Sequence, residues 1–128
     1  MIVALESRHS GPDLILLDDD SIIRDSWLLE AESAGLRLLA LASDELLDEY
    51  LLDPITPIFV DYDLGRERSG LEVARELESR GHSQIILISG YEMLPAEIPN
   101  YISAPRGKAW PADLIVTTKD AYEWESKK

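Results

Sequence analysis

The sequence has no cysteine and only two histidines among its 128 residues. The absence of cysteine excludes disulfides, zinc–thiolate sites and cysteine nucleophiles. The histidines, His9 and His82, lie in polar segments that we predict to be loops, so we do not expect a histidine-based metal site. No apolar run approaches the ~20 residues that span a bilayer. The start of the chain also has too short an apolar part for a secretory signal. These absences predict a cytoplasmic protein that does not enter a membrane.

Basic residues are scarce as well. Twelve lysines and arginines stand against 25 acids, which gives a formal net charge of −13. Such a negative surface repels phosphate backbones, so we expect no direct binding to nucleic acid. The length is that of one domain with its own core. We predict a loosely attached leader over residues 1–12 and a single domain over residues 13–128.

Two apolar runs each end in a cluster of aspartates. Residues 14–17 precede Asp18-Asp19-Asp20, and residues 58–60 precede Asp61-Tyr62-Asp63. A short apolar run between turn signals predicts a buried strand of a parallel sheet. Acids at the carboxyl ends of such strands lie on the edge where open α/β sheets bind ligands. Gathered carboxylates repel one another unless a cation or protons intervene. One acid would suffice to cap a helix, so two clusters in register favour a hard-metal site with one aspartate left for chemistry.

The chain alternates strand and helix patterns as far as Gly90, which implies βαβ crossovers and a parallel sheet. The predicted strands lie at 14–17, 36–41, 58–61 and 84–88. Three helices are predicted. The first is capped by Asp20 or Ser21 and ends at Gly35, and the second is capped by Ser43 and stops at Asp53-Pro54. The third is capped by Ser69, with Glu72 completing a capping box, and runs through Arg80.

The pattern becomes irregular after Gly90. Residues 91–111 contain four prolines, so little of this segment can form a long helix. We predict a fifth strand near residues 101–103. A proline at a first helical position, Pro111, predicts the start of a last helix, although Val116-Thr117-Thr118 lowers its helix propensity.

Four separated motifs resemble the receiver domain of two-component response regulators. They are LILLDDDSIIRD, IFVDYDL, SGLEVARELESRG and IILISG, and the resemblance covers roughly residues 13–125. It implies an α/β fold of the flavodoxin-like, doubly wound type. The expected sheet has five parallel strands in the order 2-1-3-4-5, with a shortened or irregular fourth helix.

The resemblance also assigns roles to residues of the aspartate clusters. Asp61 would be the phosphoacceptor. Asp18 and Asp19 would bind Mg²⁺, or Mn²⁺ in its place, together with Asp61 and the backbone carbonyl of Asp63. Ser89 would donate a hydrogen bond to a phosphoryl oxygen.

The lysine that the family places near the acceptor has two candidate positions in this sequence. One alignment puts Ala104 at the lysine position and Tyr101 at the position of a switch aromatic. The other supplies Lys108 and leaves the switch aromatic unassigned. The spacing from Ser89 and the match of the residues after Lys108 to the start of the last helix favour Lys108.

The implied function is that of a phosphoacceptor receiver. It takes a phosphoryl group from a histidine kinase or phosphotransfer protein and signals by contact with a downstream effector protein. Asp63 and Tyr91 would flank the entrance and tune hydrolysis of the acyl phosphate. We expect no turnover enzyme, and homodimerisation stays open. No output domain lies within the 128 residues, so we expect a separate partner unless the chain is an excised domain.

Two alternatives remain at this stage. The first is a degenerate receiver that binds proteins independently of phosphorylation, which the altered segment 91–107 and the uncertain lysine favour. The second is a haloacid-dehalogenase-type phosphatase, because Asp61-Tyr62-Asp63 resembles its Asp-x-Asp motif. That motif normally lies on a first strand with a long chain after it, whereas here it lies midway along the sequence.

Overall fold

The computed structural model describes residues 3–5, 11–49, 54–64, 69–90 and 102–117. In chain order the elements are β1 (Val3–Leu5), β2 (Leu14–Leu17), α1 (Ser21–Ala34), β3 (Leu38–Leu41), a 3₁₀ helix (Asp44–Glu49), β4 (Ile58–Asp61), α2 (Gly70–Ser79), β5 (Ile85–Ile88), β6 (Ile102–Arg106) and β7 (Ile115–Thr117). No helix in these ranges is long and apolar enough to cross a membrane.

The main sheet has five strands in the order β3-β2-β4-β5-β6. Every neighbouring pair is parallel. Counted from the strand at residues 14–17, this is the predicted order 2-1-3-4-5, so the flavodoxin-like fold class is confirmed. The three central strands are continuous apolar runs because helices cover both faces of the sheet.

Two buried clusters lie on opposite faces of this sheet. Successive side chains of a strand point to opposite faces, so Leu14 and Leu16 join one cluster whereas Ile15 and Leu17 join the other. Helix α1 contributes to the first cluster and α2 contributes to the second. The two helices therefore cover different faces, which is the doubly wound arrangement.

The helices begin and end where their capping residues predict. Asp20 is the N-cap of α1, and its side chain accepts a hydrogen bond from the backbone N–H of Ile22 at 2.8 Å. Gly35 ends α1 with a φ of 72°, a left-handed conformation that glycine adopts without a steric penalty. Ser69 caps α2 through the backbone N–H of Glu72 at 3.2 Å.

The fifth strand of the main sheet overlaps the predicted residues 101–103, since it begins at Ile102 and extends beyond them. It runs to Arg106, and its register against β5 shifts between Ile86 and Ile88. Pro105 lies in this strand, which is at the end of the described strand order, and prolines in sheets are confined to such edges and to bulges. The predicted irregular fourth helix falls on residues 91–101, outside the described residues.

Three local predictions need correction. The helix predicted from Ser43 is a 3₁₀ helix over Asp44–Glu49, and residues 50–53 lie outside the described ranges. The helix predicted from Pro111 is wrong for Ile115–Thr117, which form β7, because β-branched residues favour strands. The leader is not wholly loose, because Val3–Leu5 pair in parallel with Ile115–Thr117 as a separate two-stranded sheet. The predicted domain limits stay a prediction.

Candidate functional site

The two aspartate clusters meet at the carboxyl edge of the sheet. Strands β2 and β4 are hydrogen-bonded neighbours with Leu17 opposite Val60, so the residues that follow them emerge side by side. Carboxylate oxygens of Asp18, Asp19 and Asp61 all lie within 4.8 Å of one another. Asp18 is 0% exposed and Asp61 is 1% exposed, whereas Asp19 is exposed. The contact that the strand pattern predicted is therefore present.

The backbone around Asp61 is held from two sides. The N–H of Tyr62 donates to the carbonyl of Ile88 at 2.9 Å, which ties the end of β4 to β5. The N–H of Gly70 donates to the carbonyl of Tyr62 at 2.7 Å. These bonds join the end of β5 and the start of α2 to the strand end that carries Asp61.

Lys108 reaches into the same cluster from the segment after β6. Its Nζ lies 3.0 Å from Oδ2 of Asp61, as a hydrogen bond, and 3.3 Å from Oδ2 of Asp18, as an ion pair. Of the two alignments that the sequence left open, the structure brings Lys108 to the aspartates. Ala104, the alternative, lies within β6, and Tyr101 lies outside the described residues.

Each buried carboxylate also accepts a backbone hydrogen bond from two residues further along the chain. Oδ1 of Asp18 accepts from the N–H of Asp20 at 2.9 Å, and Oδ1 of Asp61 accepts from the N–H of Asp63 at 3.2 Å. Oδ2 of Asp18 is buried and has no hydrogen-bond partner within the described part of the chain. Within those residues this oxygen accepts no hydrogen bond, and its partner is the ammonium group of Lys108 in the ion pair at 3.3 Å.

The environment of the site shifts the pKa values of both Asp61 and Lys108. Burial raises the pKa of Asp61 to about 6, even though the hydrogen bond from Lys108 acts in the opposite direction. Burial acts to lower the pKa of Lys108, but the hydrogen bond with Asp61 and the charge of Asp18 outweigh it and raise that pKa above its usual value. Lys108 therefore keeps its proton at neutral pH, and Asp61 is mostly ionised.

Ser89 follows β5 at the same edge of the sheet and is 5% exposed. Its backbone N–H donates to the carbonyl of Arg106 at 2.8 Å, which joins the ends of β5 and β6. The two predicted tuning residues are Asp63 and Tyr91. Asp63 has an exposed side chain next to the acceptor, whereas Tyr91 lies outside the described residues.

Two contacts of the site were not predicted from the sequence. Nη1 of Arg24 donates to the carbonyl of Asp18 at 2.8 Å, and Nε1 of Trp27 donates to the carbonyl of Lys108 at 2.8 Å. Both donors belong to α1. No local sequence pattern links Trp27 to a residue 81 positions away.

The donor set fits a hard divalent cation. Three carboxylates within reach of one another are oxygen ligands of the kind that Mg²⁺ and Mn²⁺ prefer. Oδ2 of Asp18 is buried, accepts no hydrogen bond from the described residues and faces Nζ of Lys108 at 3.3 Å, so a cation bound here would take over the charge balance that Lys108 provides. Coordination by the carbonyl of Asp63 stays a prediction.

Comparisons with known proteins bear on the fold. No protein-family model matches the chain. No curated protein matches it in sequence. In structure the chain is similar to a response regulator receiver domain protein (CheY-like) from Methanospirillum hungatei JF-1, with a TM-score of 0.62. The two share 21% sequence identity over 92% of this chain and 93% of that chain. The chain therefore has the fold of a CheY-like response regulator receiver domain.

Proposed function

We propose that this chain is a phosphoacceptor receiver, and that Asp61 takes a phosphoryl group from a histidine kinase or phosphotransfer protein. The observation that carries the proposal is the contact of Lys108 with both buried aspartates, at 3.0 Å from Asp61 and 3.3 Å from Asp18. A nucleophilic carboxylate, oxygen ligands for a cation and a fixed ammonium group are the parts that phosphoryl transfer requires.

In the proposed step, a carboxylate oxygen of Asp61 attacks the phosphorus of a phosphohistidine. A P–O bond forms, the P–N bond breaks, and its electron pair remains on the imidazole nitrogen. The attack needs ionised Asp61, which its pKa of about 6 allows at neutral pH. Lys108 then pairs with a phosphoryl oxygen, and the hydroxyl of Ser89 donates to another.

Asp18, Asp19 and Asp61, with the backbone carbonyl of Asp63, would hold Mg²⁺ or Mn²⁺ at this edge. A cation bound there supplies positive charge for the phosphoryl oxygens. The phosphoryl group itself adds about −1.5 to −2 charges beside Ser89 and Lys108. Their attraction to it would shift the ends of β5 and β6 and so alter a surface that a downstream protein contacts.

The proposal is a single modification of the protein rather than turnover of a substrate. The degenerate receiver loses one of its two arguments, the uncertain lysine, because Lys108 contacts Asp61, and it keeps the altered segment 91–107. The phosphatase alternative rests on the Asp-x-Asp motif alone. The side chain of Asp63 is exposed. Within the described residues, only the backbone N–H of Asp63 is hydrogen-bonded to Asp61, and its carboxylate is not.

The test is intact mass after incubation with acetyl phosphate, with and without Mg²⁺. The expected result is a Mg²⁺-dependent gain of one phosphoryl group that Asp61→Asn abolishes. Asp63→Asn is the matched control, since it removes an exposed acid two residues away, and it should still gain the group. Absence of a gain with acetyl phosphate and with a phosphohistidine donor would contradict the proposal and favour the degenerate receiver. Continuous release of phosphate over many turnovers would favour the phosphatase.

A further inference from the structure

The reach of Lys108 depends on a loop rather than on a strand. β6 ends at Arg106, and Lys108 is followed by Ala109 before the chain turns towards β7. We call residues 107–112 the lysine loop. A lysine side chain has many rotamers, so holding its Nζ at one place carries an entropic cost. The backbone of the loop must therefore be fixed for Nζ to stay 3.0 Å from Asp61.

The ion pair at the base of the loop does not fix it by itself. Arg106 and Asp113 flank the lysine loop, and both carboxylate oxygens of Asp113 accept from Nη2 of Arg106. The side chain of Asp113 is 64% exposed, and exposed ion pairs contribute little. This pair brings the loop ends together without holding Lys108 in the middle.

Trp27 holds the middle of the loop. Its indole N–H donates to the carbonyl of Lys108 at 2.8 Å. The ring is 1% exposed and makes edge contacts with Phe59, at 5.2 Å between centroids, and with Trp110, at 5.5 Å. Phe59 belongs to β4, the strand that ends in Asp61, so the orientation of the indole is set by the strand that carries the acceptor.

We propose that Trp27 is a positioning residue for Lys108: its indole N–H holds the backbone of the lysine loop so that Nζ meets Asp61 and Asp18. The expected effect of Trp27 on phosphorylation rests on the proposed function. The expected effect of Trp27 on the position of Lys108 in the unphosphorylated protein does not. Indole carries a donor on a large apolar ring, so it can bond a carbonyl from inside the core. Phenylalanine would fill most of the space and leave the carbonyl without this donor.

A packing role alone gives a different expectation. Trp27→Phe would then lower the stability of the protein. Its effects on stability, on the phosphorylation rate and on the Mg²⁺ affinity would be the same with and without Lys108. A positioning role requires that the effect at the site disappear when Lys108 is absent. A double-mutant cycle with Trp27→Phe and Lys108→Met separates the two roles.

The first readout is the rate of phosphorylation by acetyl phosphate. We expect Trp27→Phe to slow it about fivefold, the factor that corresponds to one lost hydrogen bond. In the Lys108→Met background the same substitution should change the rate by less than about twofold. An equal slowing in both backgrounds would overturn the inference.

The second readout is the affinity of the unphosphorylated protein for Mg²⁺, measured by calorimetric titration. Lys108→Met removes a cation that competes for Asp18 and Asp61, so Mg²⁺ should bind more tightly. Trp27→Phe should shift the affinity in the same direction by a smaller factor, and only when Lys108 is present. An unchanged affinity in Trp27→Phe, together with a change in Lys108→Met, would overturn the inference even if the protein is never phosphorylated. A change in both, in a protein that acetyl phosphate and phosphohistidine leave unmodified, would support the inference and reject the proposed function.

Trp110→Phe is the matched control. Trp110 belongs to the same aromatic group, but its indole donates no hydrogen bond to any residue that the structure describes. Because Trp110 lies in the lysine loop but donates no such bond, Trp110→Phe should change both readouts by less than Trp27→Phe does, and an equal effect would contradict a specific role for the indole N–H of Trp27. If Trp27→Phe fails to fold, 3-benzothienylalanine at position 27 keeps the shape of the ring without the donor. The same cycle with that residue then decides.

Discussion

Gly70, at the start of α2, lies in backbone contact with Asp61 at the end of β4. A Cβ added to Gly70 would meet the carbonyl oxygen of Asp61 at less than any normal contact distance and would lie 2.7 Å from Cα of Tyr62. These neighbours are backbone atoms, which cannot rotate away as a side chain can. The close approach therefore sets the position of α2 relative to the strand end that carries the candidate acceptor.

Gly70→Ala should destabilise the protein by about 1–3 kcal/mol, because an added methyl group in a tightly packed place forces the backbone apart. Alanine is otherwise favoured over glycine within a helix by up to ~1 kcal/mol, so a net loss would show the steric conflict. Gly90→Ala is the control, since no atom of the described residues lies within 4 Å of a Cβ there. Urea unfolding of the two variants measures the difference, and equal stabilities would show that α2 shifts freely.

The aspartates after β2 divide into a capping residue and a candidate metal ligand. Asp20 accepts from the N–H of Ile22 as the N-cap of α1, whereas Asp18 is buried beside Lys108 and Asp61. Asp20→Ala should cost about 1 kcal/mol of stability, the usual cost of a lost N-cap, and leave the Mg²⁺ affinity unchanged. Asp18→Asn should weaken Mg²⁺ binding by roughly tenfold or more. Calorimetric titration with Mg²⁺ and urea unfolding of both variants test this division, which a shared effect on affinity would contradict.

The raised pKa of Asp61 predicts a dependence of stability on pH. Its ordinary value is 3.8 and its value in the folded protein is about 6, so the folded state binds this proton more tightly than the unfolded state. The contribution is fully present below about pH 4 and is lost as pH rises through about 6. The loss is at most about 3 kcal/mol, since one pKa unit corresponds to about 1.4 kcal/mol.

In Asp61→Asn, the free energy of unfolding should not show this loss as pH rises. The measurement runs from about pH 3.5 to about 7.5, a range that brackets the window, and is made without divalent cations. The difference between Asp61→Asn and wild type should grow between about pH 4 and 6 and then level off. Asp63→Asn, which also removes one negative charge, should keep the wild-type dependence. Lys108→Met should move the window to higher pH, because the hydrogen bond and charge of Lys108 lower the pKa of Asp61. A constant difference across the range would refute the burial of the Asp61 charge.

Much of the fold was predictable because its signals are local. The apolar runs at residues 14–17, 58–60 and 85–88 lie in the central strands, and the caps at Asp20 and Ser69 began the helices. Where tertiary pairing decides, prediction failed. Val3–Leu5 and Ile115–Thr117 are each too short to indicate a strand, and they become strands only by pairing with one another.

For the candidate site, the sequence by itself determined that the two aspartate clusters would meet. They lie at the ends of short apolar runs that predict buried parallel strands, and parallel strands end at one edge. The tertiary structure alone decided between Lys108 and Ala104, because a loop lysine reaches the aspartates only when its backbone is held there. The bond from Trp27 to the carbonyl of Lys108 joins residues 81 positions apart. No local pattern encodes such a contact, since it depends on how α1 and the lysine loop pack on the same face of the sheet.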